Sequence, residues 1–533
     1  MLITPAVLPY LSHYLDAGNL HPTGFVQGDQ AYYMANAREH FDRGAFSLTY
    51  GNPSGANFNT PPIYFQPQTL FLGIVWRYVY QDPGTVFVVF GLMWAIVCGR
   101  MAIMLFESLF GLSGLTQWIC LTIMFWGGGI LALTGLLVTG FYSLYGTPLT
   151  VQGIFYLDPF AGQWCLNFGR TLIYPNEAYY HALFFAVIIL LLKRRYVLAS
   201  VIALLLSFSH PFTGIELLAI VFGWILVELI VRKDPIPAMF VAGWSLLVVV
   251  HLGYYLYFLP LSPEHRALMS QWAQPWLLET ANAIPAYVLV AVPAIWRIRT
   301  PRRWRETFSH THNRLFLVWF VVAFTLANHE LFMRAQQPLH FTRGYIWLPL
   351  FLLGVPVLLS WFRILQAHGR RLAKGLVCAV ILLFFSDNAL WFSAVSNSHL
   401  LSHVRLTADQ GELLRWINTN SGHRTVVVSE DPTIGYLTTV YSPARAWLAH
   451  PFNTPEVSKR KEELENFFRR GEGIDMGMEG EVVIVFSHSS AAGQSRKVVM
   501  ERVRAQRTIV GSLENAGFTA FKTVDHNHGF DHH

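Results

Sequence analysis

Charge is scarce in this 533-residue chain: Asp, Glu, Lys and Arg make up 13% of it, against roughly 25% in an ordinary soluble domain. Cysteine is scarcer, with four in all. Cys98, Cys120 and Cys378 fall inside apolar runs and only Cys165 lies in a loop, so no disulfide framework is expected. The first twenty residues have no basic stretch and no cleavage site, so they do not read as a signal peptide. No internal repeat and no glycine-rich phosphate loop is found. The net charge of +6 is small and sits in short loops between apolar runs, which excludes a nucleic-acid partner as its explanation.

Apolar residues fill the space that charge leaves. They make up 53% of the chain and include 40 Phe, 22 Tyr and 17 Trp. This composition predicts a mostly α, polytopic integral membrane protein with about 10–11 transmembrane helices. Residues 1–20 are too short an apolar run to cross the bilayer; they read as the end of a membrane helix whose start is missing, or as an interfacial helix. A polar loop follows over 21–65. An apolar helix over 66–80 is expected to lie along the membrane surface. Spans are predicted at about 85–108, 115–140, 178–192, 196–210, 214–231, 238–258, 284–297, 315–329, 345–363 and 375–395.

Lys and Arg set the expected orientation. Lys193-Arg194-Arg195, Arg232-Lys233, the segment from Arg297 to Arg314 and that from Arg363 to Lys374 all fall on one side when the spans are counted. That side should be cytoplasmic. The outer loops are then 21–84, 141–177, 259–283 and 329–344. Residues 1–397 form the transmembrane domain. Beyond them, over 398–533, charge returns and short strands alternate with helices: Arg424–Ser429, Glu481–Phe486 and Phe518–Val524 read as strands, Gly411–Asn418 and Lys459–Arg470 as helices. A soluble, extracytoplasmic α/β domain with a parallel core is expected there. Its His-rich end, His526 to His533, reads as a frayed tail more readily than as a metal site.

The outer loops hold many polar groups beside helix ends: Asp29, Asp158, Arg170, Asn176, Glu177, His181, His210, Arg334, His340 and Arg343. Ionisable groups near the membrane usually face a cavity, although any single one is more often an interfacial anchor. Asp29, in Gly28-Asp29-Gln30-Ala31-Tyr32-Tyr33, precedes a helical pattern; an N-cap is its ordinary role and a general base its chemical one. Arg334, His340 and Arg343 lie among aromatics between two spans, where Arg and His suit a phosphate. Asp29 and Asp158 could share a divalent cation such as Mg²⁺ or Mn²⁺, though Asp158 before a proline is equally a turn former. No nucleophile with a paired base is evident.

The pattern resembles the GT-C superfamily of membrane glycosyltransferases. The likeness rests on Gly28, Asp29, Tyr32 and Tyr33 in the first outer loop, the helix at 66–80, the number of spans, and the closing α/β domain. The resemblance implies a polyprenyl-phosphate sugar donor, surrounding membrane lipids, and a glycan, lipid or protein acceptor outside the cytoplasm. It implies Asp29 as catalytic base. It implies donor-phosphate contacts from Arg334, His340 or Arg343; Tyr32, Tyr33, Asp158, Arg170, Glu177 and His210 are further candidate substrate contacts. The sequence lacks the Trp-Trp-Asp signature of the oligosaccharyltransferase branch, so transfer of a single sugar is expected. The bacterial plasma membrane is the expected location. The competing readings are a transporter or flippase for a lipid or polar solute, with Glu107, Glu216 and Glu228 as its candidate groups, and a non-catalytic membrane assembly protein.

Overall fold

The structure is a computed structural model. It describes residues 2–42, 46–55, 61–154, 166–231, 235–367, 371–396, 401–475, 480–489 and 493–525. Among the described residues, seven helices are long and apolar enough to cross a membrane: Pro83–Phe110, Pro175–Leu192, Pro211–Val231, Ala238–Leu261, Thr280–Ile298, Trp347–Leu365 and Lys374–Ala394. The expected count of 10–11 is reached only at its lower bound. That bound requires adding the shorter apolar helices Tyr196–Ser209 and Thr311–Leu326 and counting one bent pair as a single crossing. The helix expected at 66–80 is present as Pro67–Tyr78, with proline at its first position, where no backbone donor is needed.

The span expected over 115–140 is broken. Helices Gly114–Trp126 and Leu131–Ser143 meet at 58°. Gly127-Gly128-Gly129 separates them, and a bare helix end in hydrocarbon must find partners inside the protein. Here it does. Gly128 N–H donates to Phe384 O at 2.8 Å and Ile130 N–H to Pro285 O at 2.8 Å. Asp387 accepts from Gly129 N–H at 2.9 Å and from Ala132 N–H at 3.0 Å, one with each carboxylate oxygen. A Cβ on Gly129 would lie 2.0 Å from Pro285 O, so no other residue fits there. Asp387→Ala leaves two buried donors unmet and should destabilise the protein by roughly 2–6 kcal/mol at 1–3 kcal/mol per group. Thermal unfolding in detergent reads this. Asp387→Asn, which keeps one acceptor oxygen, should recover part of the loss.

Tertiary contacts divide the chain into two compact units. The first comprises Met1–Ser12, Val89–Tyr255 and Ala273–Ser402 and holds most of the apolar helices. Within it Arg314 and Glu228 form a fully buried bidentate pair, Nε to Oε1 at 2.7 Å and Nη2 to Oε2 at 2.6 Å. Trp224 Nε1 donates to the same carboxylate at 3.0 Å. Glu228 therefore serves as a structural counter-ion and not as a transport group.

The second unit comprises His13–Val88, Leu256–Trp272 and His403–His533. Contacts thus group the first loop and part of the 259–283 loop with the C-terminal strand-containing fold, across the boundary expected at 397/398. The reason is hydrogen bonding. His21–Pro22 pairs antiparallel with Arg405–Leu406. Helix Gln30–Glu39 packs on helix Pro432–Tyr441, where Tyr436 Oη donates to Gly28 O at 2.7 Å and Arg38 Nη1 to Val440 O at 3.0 Å. Residues 263–272, expected as loop, form a helix whose Trp272 Nε1 and Gln271 Nε2 donate to Phe452 O and Thr454 O, each at 2.9 Å.

A five-stranded sheet runs in the order 445–446, 425–429, 481–487, 518–525, 507–514. Its first three strands are parallel, as expected; 518–525 runs antiparallel between 481–487 and 507–514. Arg507–Glu514, which sequence patterning misses, is an edge strand of alternating exposure. Val426, Val428, Val482, Ile484 and Phe486 meet Leu464, Phe467, Phe468, Val499 and Val503 from the covering helices. Local signals agree with this fold. Thr407 and Gln410 form a reciprocal capping box, and Asp431 caps its helix through Thr433 N and Ile434 N.

Candidate functional site

The second unit carries Asp29. The residue stands at the N-cap of helix Gln30–Glu39, but its side chain makes no capping bond. Its own N–H is taken by Gln27 Oε1 at 2.9 Å. The carboxylate turns instead to His450, whose Nε2 lies 3.0 Å from Oδ1. The Asp29 side chain keeps 55% of its surface exposed while that of His450 keeps 3%. Gln27 Nε2 donates to the other oxygen, Oδ2, at 3.4 Å, so Asp29 is half exposed with a partner at each oxygen.

His450 is fixed from behind. It follows strand Arg445–Ala446 in the segment Ala449-His450-Pro451-Phe452-Asn453-Thr454. Phe452 N–H donates to Nδ1 at 3.0 Å. A backbone N–H can only donate, so Nδ1 accepts and the ring proton sits on Nε2, aimed at Asp29. Asn453 Nδ2 lies 3.1 Å from the same Nδ1. The Tyr32 ring packs 5.0 Å from His450 and the Tyr436 ring 5.4 Å. Tyr33 turns away and stacks on Phe87 at 6.4 Å. Burial pushes the Asp29 carboxyl up, but the hydrogen bonds from His450 and Gln27 outweigh it and hold the group below its ordinary value. Burial also raises the Tyr32 phenol to about 12, so it stays a neutral hydroxyl.

The first unit carries a second cluster, around Arg343. Its Nη1 is 2.6 Å from Glu177 Oε1 and 3.3 Å from His210 Nε2, and its Nη2 bonds His340 Nδ1. Both imidazoles lie outside the spans; burial first, and then the Arg343 charge, press them well below their ordinary value and keep them neutral. Trp276 stacks on His340 at 5.6 Å and Tyr180 on His210 at 4.6 Å. His181 Nε2 lies 2.9 Å from Arg343 O and its Nδ1 2.8 Å from Glu177 O, which places the ring against the backbone beside Gly344. Gly344 has φ +78°, and a Cβ there would meet Phe168 Cα at 2.9 Å, so the turn that presents Arg343 requires glycine. The result is a guanidinium and two neutral imidazoles on one side of a carboxylate.

The structure brings Glu177, His210, His340 and Arg343 together, and Asp29 and Tyr32 meet at His450. Arg170 is elsewhere: fully buried, its Nε donates to Asn388 Oδ1 at 2.8 Å and its guanidinium lies 5.4 Å from the Trp391 ring. It ties the Phe168–Thr171 turn to the Arg371–Ser396 helix, so the expected substrate contact becomes a structural one. Arg334 is exposed and makes none of the cluster's contacts. Asp158 lies outside the described residues, and with it the Asp29–Asp158 cation pair. Among the described residues no group of three His, Cys, Asp or Glu side chains could hold a metal ion. Sequence reasoning missed His450 and Trp276. A His-Pro step just past a parallel strand was the available signal for the first, since α/β sheets bind ligands beyond the carboxyl ends of their strands. Trp276, within an outer loop, carried no signal of its own.

No family model and no curated protein sequence matches the chain. In structure it is similar to the oligosaccharyltransferase of Archaeoglobus fulgidus, solved as a crystal structure in the apo form, with 13% sequence identity. The match covers 91% of this chain and 69% of that one, at a TM-score of 0.44. At this score the likeness carries no argument about fold or residue roles.

Proposed function

We propose that this integral membrane protein transfers a sugar from a polyprenyl-phosphate donor to a glycan, lipid or protein acceptor outside the cytoplasm, in the bacterial plasma membrane. Asp29 takes the proton of the acceptor hydroxyl as that oxygen bonds to the anomeric carbon. The bond from that carbon to the donor phosphate breaks, and polyprenyl phosphate leaves. One observation carries this reading: a half-exposed carboxylate, unspent on the helix it precedes, is held by a histidine whose tautomer is fixed. A structural N-cap needs neither exposure nor a positioned partner. General-base chemistry needs both.

Arg343, His210 and His340 are assigned to the donor phosphate, with Glu177 orienting the guanidinium. Planar, directed donors suit phosphate oxygens. Arg343→Lys keeps the charge beside Glu177 but loses the fork. It should raise the donor KM about tenfold with a smaller change in kcat, from the loss of roughly one charge-assisted hydrogen bond. Steady-state kinetics over donor concentration reads the two apart.

The test is a transfer assay on the full chain in nanodiscs. Radiolabelled polyprenyl-phosphate sugars are offered one at a time, with membrane extract as acceptor source. Label passing from one of them into extract-derived product is the expected result. Failure of every donor, including polyprenyl-pyrophosphate sugars, while the protein carries lipid or solute across the bilayer of proteoliposomes, would overturn the reading in favour of transport.

A further inference from the structure

We propose that the arginine-rich end of the first unit binds an anionic phospholipid of the surrounding bilayer, its phosphate between Arg297, Arg303 and His310 and an acyl chain in the apolar groove beside them. This site is separate from both clusters above and does not depend on the proposed transfer reaction.

Two adjoining cavities carry the inference. The first, about 290 Å³, is lined by Trp296, Arg297, Arg303, Glu306, His310 and Ser360, among others. The second, about 450 Å³, lies between helices Thr280–Ile298, Trp347–Ala367 and Arg371–Ser396, and every residue lining it is apolar, Val292, Leu358, Val380 and Phe384 among them. Trp361 lines both. A polar basin opening onto an apolar trough matches an amphiphile with a charged head. A free anion would use only the basin, and a hydrocarbon only the trough.

The charge has the right sign. Between 297 and 305 stand five arginines, Arg297, Arg299, Arg302, Arg303 and Arg305, directly at the end of a membrane helix. Basic clusters of this size beside a span, and basic pockets between spans, are the features that hold anionic lipid heads. Glu306, the carboxylate in the basin, accepts from Arg302 Nε at 2.9 Å and is thereby neutralised. The remaining basic groups are held in place. Arg297 Nη1 donates to Leu353 O at 2.9 Å, and Arg303 Nη1 to Trp296 O at 3.1 Å. Arg299 lies 3.3 Å from the centre of the Trp296 ring. Helix Pro301–Phe308, capped by Thr300, carries most of this charge and exposes Trp304. A basic helix with an exposed tryptophan suits the level of lipid headgroups. The helix end is the one that the basic loops assign to the cytoplasm, where anionic lipids are concentrated.

Native mass spectrometry of the full chain tests the proposal. Delipidated protein is re-equilibrated with dioleoyl phosphatidylglycerol or dioleoyl phosphatidylcholine, and retained lipid is counted. Wild type should retain the anionic lipid in preference. Arg303→Gln with His310→Gln, which leaves the Arg297–Leu353 bond intact, should cut that preference about fivefold, the effect of roughly one surface charge. Val380→Trp, or Val292→Trp on the facing helix, should fill the groove and lower retention of both lipids. Unfolding temperature confirms that each variant is folded. Equal retention of the two lipids by wild type, or a preference untouched by Arg303→Gln/His310→Gln, would overturn the proposal. So would displacement of the lipid by glycerol phosphate alone, which would reduce the site to an anion pocket.

Discussion

Asp29→Asn should lower sugar transfer by about 10²–10⁴-fold, the range for loss of a general base, while the chain still folds and binds donor. The substitution is nearly isosteric. The amide oxygen can still accept from His450 Nε2, so the side chain keeps its place and loses only basicity. Donor binding is assigned to the Arg343 cluster and should change little. The pH profile adds a second reading. The Asp29 carboxyl titrates below its ordinary value of 3.8, so wild-type transfer should be level through neutral pH and fall only in strong acid. His450→Ala removes the hydrogen bond that lowers the group and leaves the burial that raises it. The acid limb should then move to higher pH. Stability follows the same sign: a depressed carboxyl contributes fully above its unfolded value and loses that contribution as pH falls through its folded one. Transfer by Asp29→Asn within about threefold of wild type would remove Asp29 from the reaction, since even a weak general base contributes more.

Arg314→Ala should destabilise the protein by about 3–5 kcal/mol, the usual result of stripping one partner from a buried ion pair. Glu228 would remain in the interior with only the Trp224 N–H on its carboxylate. The double change Glu228→Leu with Arg314→Met should be far milder, because replacing both charges by apolar groups of similar volume removes the desolvation cost along with the attraction. Thermal or denaturant unfolding in detergent distinguishes the two. A double variant as unstable as Arg314→Ala would mean that the guanidinium acts through its bonds to Phe308 O and Thr311 Oγ1 and not through the carboxylate.

Much of this architecture was legible because composition and periodicity report burial directly. Apolar runs marked most of the long apolar helices, and the return of charge near residue 400 marked the strand-containing fold. The alternation of valine-rich strands with helices gave its parallel core. What escaped depended on distant partners. Gly127-Gly128-Gly129 was visible, but a single span was the simpler reading; only Asp387, Pro285 and Phe384, over 150 residues away, make the break affordable in hydrocarbon. Asp29 stood out for its place in a polar first loop. Its partner His450 lies 421 residues further on, and no local pattern joins them. Arg170 and Arg343 looked alike in sequence, each a cation near a helix end. One was consumed by Asn388 and Trp391 while the other gathered imidazoles, a distinction set entirely by tertiary packing.

The fixed tautomer of His450 gives proton traffic a direction. A relay needs each member to accept on one side and release on the other. His450 already gives its proton to Asp29, and its far nitrogen faces a backbone N–H that cannot take one. The conducting path therefore ends at Asp29. In the proposed reaction, a proton captured from an acceptor hydroxyl would then leave through the exposed side of the carboxylate into bulk water, with the histidine an anchor and not a wire.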